Sequence, residues 1–128
     1  KTQESMMNED VLFKAGDVVF DSESSSDIAY FIMQGSISLT LQLGIKEITI
    51  QVGENQFVGD AAAVVTQKNN IDKLHYHGRA IALEDVRAVA IPIKDIKQEL
   101  ENCPPLLKAW ISSFISRVLV VVDELANT

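Results

Sequence analysis

Asp27–Gly44 reads DIAYFIMQGSISLTLQLG, and the parsing of this stretch decides the fold. It begins as a continuous apolar run and then, past Gly35, alternates. Ile37, Leu39 and Leu41 fall on one side of an extended chain, and Ser36, Ser38 and Thr40 fall on the other. Successive side chains of a strand point to opposite faces, so the alternation predicts a strand with one buried face. Gly35 stands between the two halves, where a turn is required.

The same pattern extends outward in both directions. KEITIQV (46–52) repeats it with Ile48, Ile50 and Val52, and GDVVFDS (16–22) is short and β-branched. RAIALEDVRAVAIP (79–92) holds two further strands joined near Glu84 and Asp85. All six glycines (Gly16, Gly35, Gly44, Gly53, Gly59 and Gly78) fall at or beside predicted segment ends. Many short alternating segments with turn residues between them predict a mainly β domain, a double-sheet antiparallel jelly roll.

At Pro92 the period changes. Ile93, Ile96 and Leu100 line one side of a short helix over 93–102. Pro104-Pro105 breaks the chain, and Pro105 is suited to the first turn of a long helix over 105–126. In that helix Leu107, Ile111, Phe114, Val118, Val121 and Leu125 are spaced 4-3-4-3-4, the seam of a coiled coil. Ile115, Leu119, Val122 and Ala126 form a second stripe. Two stripes need two partners: the helix is expected to pack on its own β-domain and, through the first stripe, on a second copy in a homodimer. A core helix wrapped by its own chain is the plainer alternative. The β-branched run VLVVV (118–122) also keeps a terminal strand open. The resulting division is a loosely ordered segment 1–10, a β-domain 11–92 and helices over 93–128.

The chain has 128 residues and a net charge of −7, enough length for one domain with a sizeable core. The acidic residues are spread along it, which excludes nucleic-acid binding by this segment, since phosphate recognition needs clustered Lys and Arg. A single cysteine, Cys103, excludes an internal disulfide and reads as a small apolar residue at a helix end. No apolar run reaches the roughly 18 residues of a membrane span, and no signal-peptide core is present. A cytoplasmic domain without membrane contact is expected. The chain starts at Lys1 and ends on a helical pattern, as a piece of a longer protein would.

One segment is unusual for a structural turn. FVGDAAAVV (57–65) places a glycine, a carboxylate and three alanines between strand-like segments. Small residues allow close approach to the backbone, and exposed amides at a short helical turn suit an anion. Gly59, Asp60, Ala61, Ala62 and Ala63 are therefore candidate ligand-binding residues. His75 and His77 have the spacing of a metal pair, but two histidines without a third ligand do not make a site, and no metal is expected. There is no nucleophile–base–orienter trio, no phosphate-binding glycine loop and no carboxylate pair at telling spacing, so an enzyme is not expected.

The order of these parts resembles the cyclic-nucleotide-binding domain family, which includes the sensor domains of catabolite-activator-type transcription factors and the regulatory subunits of cyclic-AMP-dependent kinase. The resemblance runs from Val11 to Leu125. FKAGDVVF (13–20) is similar to the opening strand and its glycine turn, and DIAYFIMQGSISL (27–39) to the tyrosine-containing strand with its I-x-x-G turn. VGENQFVGDAAAV (52–64) looks like the approach to the phosphate-binding cassette, and AIALEDVRAVAIP (80–92) like the closing strand pair.

The resemblance implies a regulatory domain whose effector is a cyclic nucleotide, cyclic AMP or cyclic GMP, or another small anion. In the family a glutamate holds the ribose 2′-hydroxyl, amides meet the cyclic phosphate, and an arginine about eight residues on neutralises it. Here Asp60 is one methylene shorter, and the arginine position falls on Tyr76. Arg79 lies three residues later, which in a strand is the opposite face unless a bulge near Gly78 re-aims it. The segment between Asp60 and Tyr76 is longer than in the family, so Lys68 or Lys73 in it could supply the charge. Glu23 stands where the family has a turn glycine, and Trp110 falls near the helix whose aromatic residues can cap the base. The expected function is an altered sensor that signals through its C-terminal helices. The alternatives are a dimerisation module of the same fold without a ligand and, remotely, a metal-binding cupin.

Overall fold

Alternation with one apolar face produces strands that can bury that face only against a second sheet, and two sheets form here. The computed structural model describes residues 9–21, 27–43, 45–60 and 79–127. Its strands are β1 (Glu9–Phe13), β2 (Val18–Phe20), β3 (Ile28–Gln34), β4 (Ile37–Leu43), β5 (Lys46–Val52), β6 (Phe57–Val58), β7 (Arg79–Ala82) and β8 (Val86–Pro92). Two helices follow, α1 (Ile93–Asn102) and α2 (Pro105–Ala126). One sheet has the order β1-β8-β3-β6 and the other β2-β7-β4-β5. Every strand pair in both is antiparallel. The double-sheet antiparallel architecture with two C-terminal helices is the one the alternation predicts.

The core lies between the sheets. Ile32, Ile37, Val58, Val86, Ala80, Ala82 and Ala88 are buried there, with Phe13, Phe20, Tyr30 and Leu39 packed against them. The ring of Phe13 meets that of Tyr30 edge-on, with centroids 5.5 Å apart. The register of β4 explains its polar face: Ile37 and Leu39 pair with Ala82 and Ala80 on the inner face, while Ser38 and Thr40 pair with Ile81 and Arg79 on the outer one. In β5, the edge strand of its sheet, Val52 is buried and Ile48 half-buried, but Ile50 remains 46% exposed, so the expected apolar face of 46–52 is only partly covered.

At one end of the sandwich three turns meet. The Gly16 amide donates to the Ala82 carbonyl and the Ala82 amide to the Asp17 carbonyl, at 2.8 and 2.9 Å. The Asp85 carboxylate accepts from the Ala15 amide at 3.0 Å, and the Ser36 hydroxyl donates to Glu84 at 2.8 Å. Gly35 is wedged among them at φ +98°, where a Cβ would stand 2.6 Å from the Asp85 carbonyl oxygen. Only glycine satisfies both the backbone angle and the space.

Three expectations are refined. β1 begins at Glu9, inside the segment 1–10 expected to be loosely ordered. The pairing of Glu9 and Asp10 with Ala90 and Val89 of β8 extends the strand into the polar stretch. The run 118–122 is helical throughout, which removes the terminal-strand alternative. The apolar length of α2 was also underestimated: Pro105–Leu125 has a mean hydropathy of 1.6 over an 18-residue window, long and apolar enough by composition to cross a bilayer. Lys108 and Arg117 interrupt the run, which is why no uninterrupted span is visible.

α1 is fastened to the β-domain: Ile93 is buried beside Ala29 with Ile96 packed on the pair, and its amide donates to the Asp27 carbonyl at 2.7 Å. α2 lies along β4. Its Ile115, Leu119 and Val122 are half-buried, as is Ile111, which was expected on the dimer stripe, whereas Leu107, Phe114, Val118, Val121 and Leu125 are exposed.

Candidate functional site

The approach to the site is a turn pinned to β3. Asn55 adopts φ +67°, a left-handed conformation that asparagine tolerates better than most residues. Its amide donates to the Ile32 carbonyl, and the Ile32 amide donates to the Gln56 carbonyl, at 2.8 and 2.9 Å. The Gln56 side chain accepts from the Gly53 amide at 2.7 Å. This fixes the start of β6, whose two residues pair with Tyr30 and Phe31 of β3. Strand parity then sorts them. Val58 points inward and is 1% exposed, while Phe57 points outward and is 41% exposed, its ring 4.9 Å from that of Phe31.

Gly59 follows at φ +76°. A Cβ there would lie 3.3 Å from the Ile28 carbonyl oxygen and 3.5 Å from the Phe20 ring. Phe20 ends β2 in the other sheet and is paired with Ala80. At this glycine a residue of the second sheet stands within van der Waals reach of the turn. Asp60 emerges from it exposed, a carboxylate at the mouth of a turn whose inner side is apolar. Phe20 is the residue that reading the sequence missed. No local pattern in the sequence joins Phe20 to Gly59.

Arg79 is placed by register. It pairs with Thr40, which pairs with Thr49, and the two threonine hydroxyls lie 3.0 Å apart. This row is on the outer face of its sheet. The inner position next to it is Ala80, buried against Phe20 and hence on the side of Gly59. The described residues therefore bring Gly59, Asp60 and Phe20 together, and Arg79 stands on the opposite face from Ala80. Ala61, Ala62, Ala63 and Tyr76 lie outside the described residues, as do Lys68, Lys73, His75 and His77. Among the described residues no group of His, Cys, Asp and Glu could hold a metal ion.

Beside the expected seam on α2 lies an aromatic cluster. Trp110 stacks on Phe114 with centroids 6.1 Å apart, and the Arg117 guanidinium lies 5.8 Å from the Phe114 centroid. Trp110 is 60% exposed and Phe114 50%.

A profile described as the cyclic nucleotide-binding domain matches residues 10–103. The chain belongs to that family. No curated protein sequence matches it, but solved structures of the same fold are numerous. The cyclic-GMP-bound EAL enzyme Bd1971 superposes with a TM-score of 0.69 at 20% identity, over 87% of this chain and 28% of that one. The sensor domain of the transcriptional regulator DNR from Pseudomonas aeruginosa gives 0.67 at 16% identity, over 88% and 76%. The catabolite activator protein of Thermus thermophilus gives 0.62 at 20% identity, over 95% and 55%. This chain therefore spans only 28% of the length of the EAL enzyme it resembles. At these identities the likeness establishes the fold, a cyclic nucleotide-binding domain with sensor and regulator proteins among its neighbours.

Proposed function

We propose that this domain is a cytoplasmic, non-enzymatic sensor whose small anionic effector, a cyclic nucleotide foremost, docks on the Gly59–Asp60 turn and is reported by α2. The observation that carries the reading is Gly59 itself. Its left-handed backbone and the nearness of Phe20 keep the turn bare, with Asp60 exposed directly after it. On this reading Gly59, Ala61, Ala62 and Ala63 offer amides to the anion, and Asp60 accepts a ribose hydroxyl. Of the two residues expected at the anion, Arg79 sits in the outward row with Thr40, which leaves Tyr76. Positive charge then falls to Lys68 or Lys73. An anion held without a paired guanidinium loses its strongest contact, so the effector binds more weakly than in a site with the family's arginine. Neighbours solved with cyclic AMP and cyclic GMP support the ligand class.

The test is thermal unfolding alone and with about millimolar cyclic AMP or cyclic GMP, for the unaltered chain, Asp60→Ala and Arg79→Ala. A ligand at about 100 times its dissociation constant stabilises by about 2.7 kcal/mol. The shift should vanish in Asp60→Ala and persist in Arg79→Ala. No shift with either nucleotide sinks the cyclic-nucleotide reading.

The exposed seam favours a second role for the same domain. Leu107, Phe114, Val118, Val121 and Leu125 form an apolar stripe on α2 that the β-domain leaves uncovered. A second copy, meeting it helix to helix, is the partner whose 4-3 spacing matches. If the turn proves silent, dimerisation through this stripe remains the function.

A further inference from the structure

A helix ends in carbonyls without intrahelical partners and a partial negative charge, which a cation relieves. The last turn of α2 contains no basic residue to meet that partial charge. Asn127 relieves part of this: its backbone amide donates to the Asp123 and Glu124 carbonyls at 3.2 and 3.3 Å, and its side-chain amide to the Asp123 carbonyl at 2.9 Å. The cation comes from another element altogether. Lys46, the first residue of β5, donates from Nζ to the Leu125 carbonyl at 3.4 Å.

The setting of Lys46 favours this contact. Its neighbour Ile45 is 93% exposed, whereas Lys46 is half-buried, so its stem lies on the protein and its head reaches the helix end. β5 then runs from Lys46 to Val52 and directly into the Gly53–Gln56 turn that is hydrogen-bonded to Ile32. We infer that Lys46 is an electrostatic latch, a positioning residue that holds the C-terminal turn of α2 to the β4–β5 hairpin. The latch adds a positive charge that the last turn of the helix lacks, at the point where the helix would otherwise fray. It belongs to this chain's residues and does not depend on any effector.

Amide hydrogen exchange on the full chain tests it at low ionic strength, comparing Lys46→Gln, Lys46→Arg and the unaltered protein. Exposed charges at helix ends contribute modestly, so exchange at residues 124–127 should rise about two- to five-fold in Lys46→Gln. Lys46→Arg should restore it, and about 1 M salt, which shortens the screening length to about 3 Å, should erase the difference. Core amides of β3 and β8 should be unchanged. Unaltered exchange at 124–127 in Lys46→Gln overturns the inference. So does an increase spread evenly over the core, which would mean global destabilisation, or a difference indifferent to salt.

Discussion

Three glycines of this domain form a series that separates backbone strain from steric exclusion. Gly35 and Gly16 have nearly the same dihedral angle, φ +98° and +92°. A Cβ at Gly16 meets nothing within 4 Å, whereas at Gly35 it would sit 2.6 Å from the Asp85 carbonyl oxygen and 2.9 Å from a Val86 methyl carbon. Gly16→Ala should therefore show strain alone, about 1–2 kcal/mol. Gly35→Ala adds displacement of backbone in a packed turn, about 1–3 kcal/mol more, for a total of about 2–5 kcal/mol. Gly53 lies outside the left-handed region with open space around it, so Gly53→Ala should stabilise by about 0.4–1 kcal/mol by restricting the unfolded chain. Urea unfolding followed by two probes reads all three. With a slope of about 2 kcal/mol per molar, Gly35→Ala should lower the midpoint by about 1–2.5 M and Gly53→Ala should raise it slightly. If Gly35→Ala costs no more than Gly16→Ala, the meeting of the β3–β4 and β7–β8 turns is not the tight contact described.

Two further outcomes follow from burial. Ile32→Ala removes a fully enclosed side chain between the sheets and should cost about 2–5 kcal/mol with the urea slope unchanged; a loss under about 1 kcal/mol would contradict the packing. Val118→Glu, at an exposed position of the α2 seam, should leave the melting temperature within a few degrees but convert a dimer to a monomer in sedimentation equilibrium, and an unchanged mass would remove the seam from the interface.

Much of this architecture was legible because the chain satisfies local rules where one face is buried. Ser36 to Leu41 announce β4 by parity alone, and Pro104-Pro105 announces the start of α2. β6 was not legible as a strand: two residues cannot display a period, and its place is set by the Asn55 and Gln56 hydrogen bonds to Ile32. β1 was obscured by Leu12, which is apolar yet 76% exposed, so its alternation reads poorly. The sheet order was beyond local pattern altogether, since β1 and β8 pair across most of the chain. At the site, parity set Arg79 opposite Tyr76, a residue outside the described ones, and the register with Thr40 shows only that Arg79 lies on the face opposite Ala80. The approach of Phe20 to Gly59 needed three dimensions, because it joins two sheets through residues with no sequence relation.

The joint between the two helices has a mechanical consequence. α1 starts directly from β8 and is buried at Ile93, so it moves with the sheets, and the stretch matched by the family profile also ends at residue 103. The direction of α2 is set beyond that, at Cys103 and Pro104, where both residues are extended and the proline has no amide to donate. A helix of 22 residues is a rod about 33 Å long. Ten degrees of pivot at Cys103–Pro104 swings its far end by about 6 Å, more than a full helical turn. The bond from Lys46 to the Leu125 carbonyl grips that far end, at the greatest lever arm from the pivot. A weak contact there resists rotation with more torque than the same contact would near Leu107.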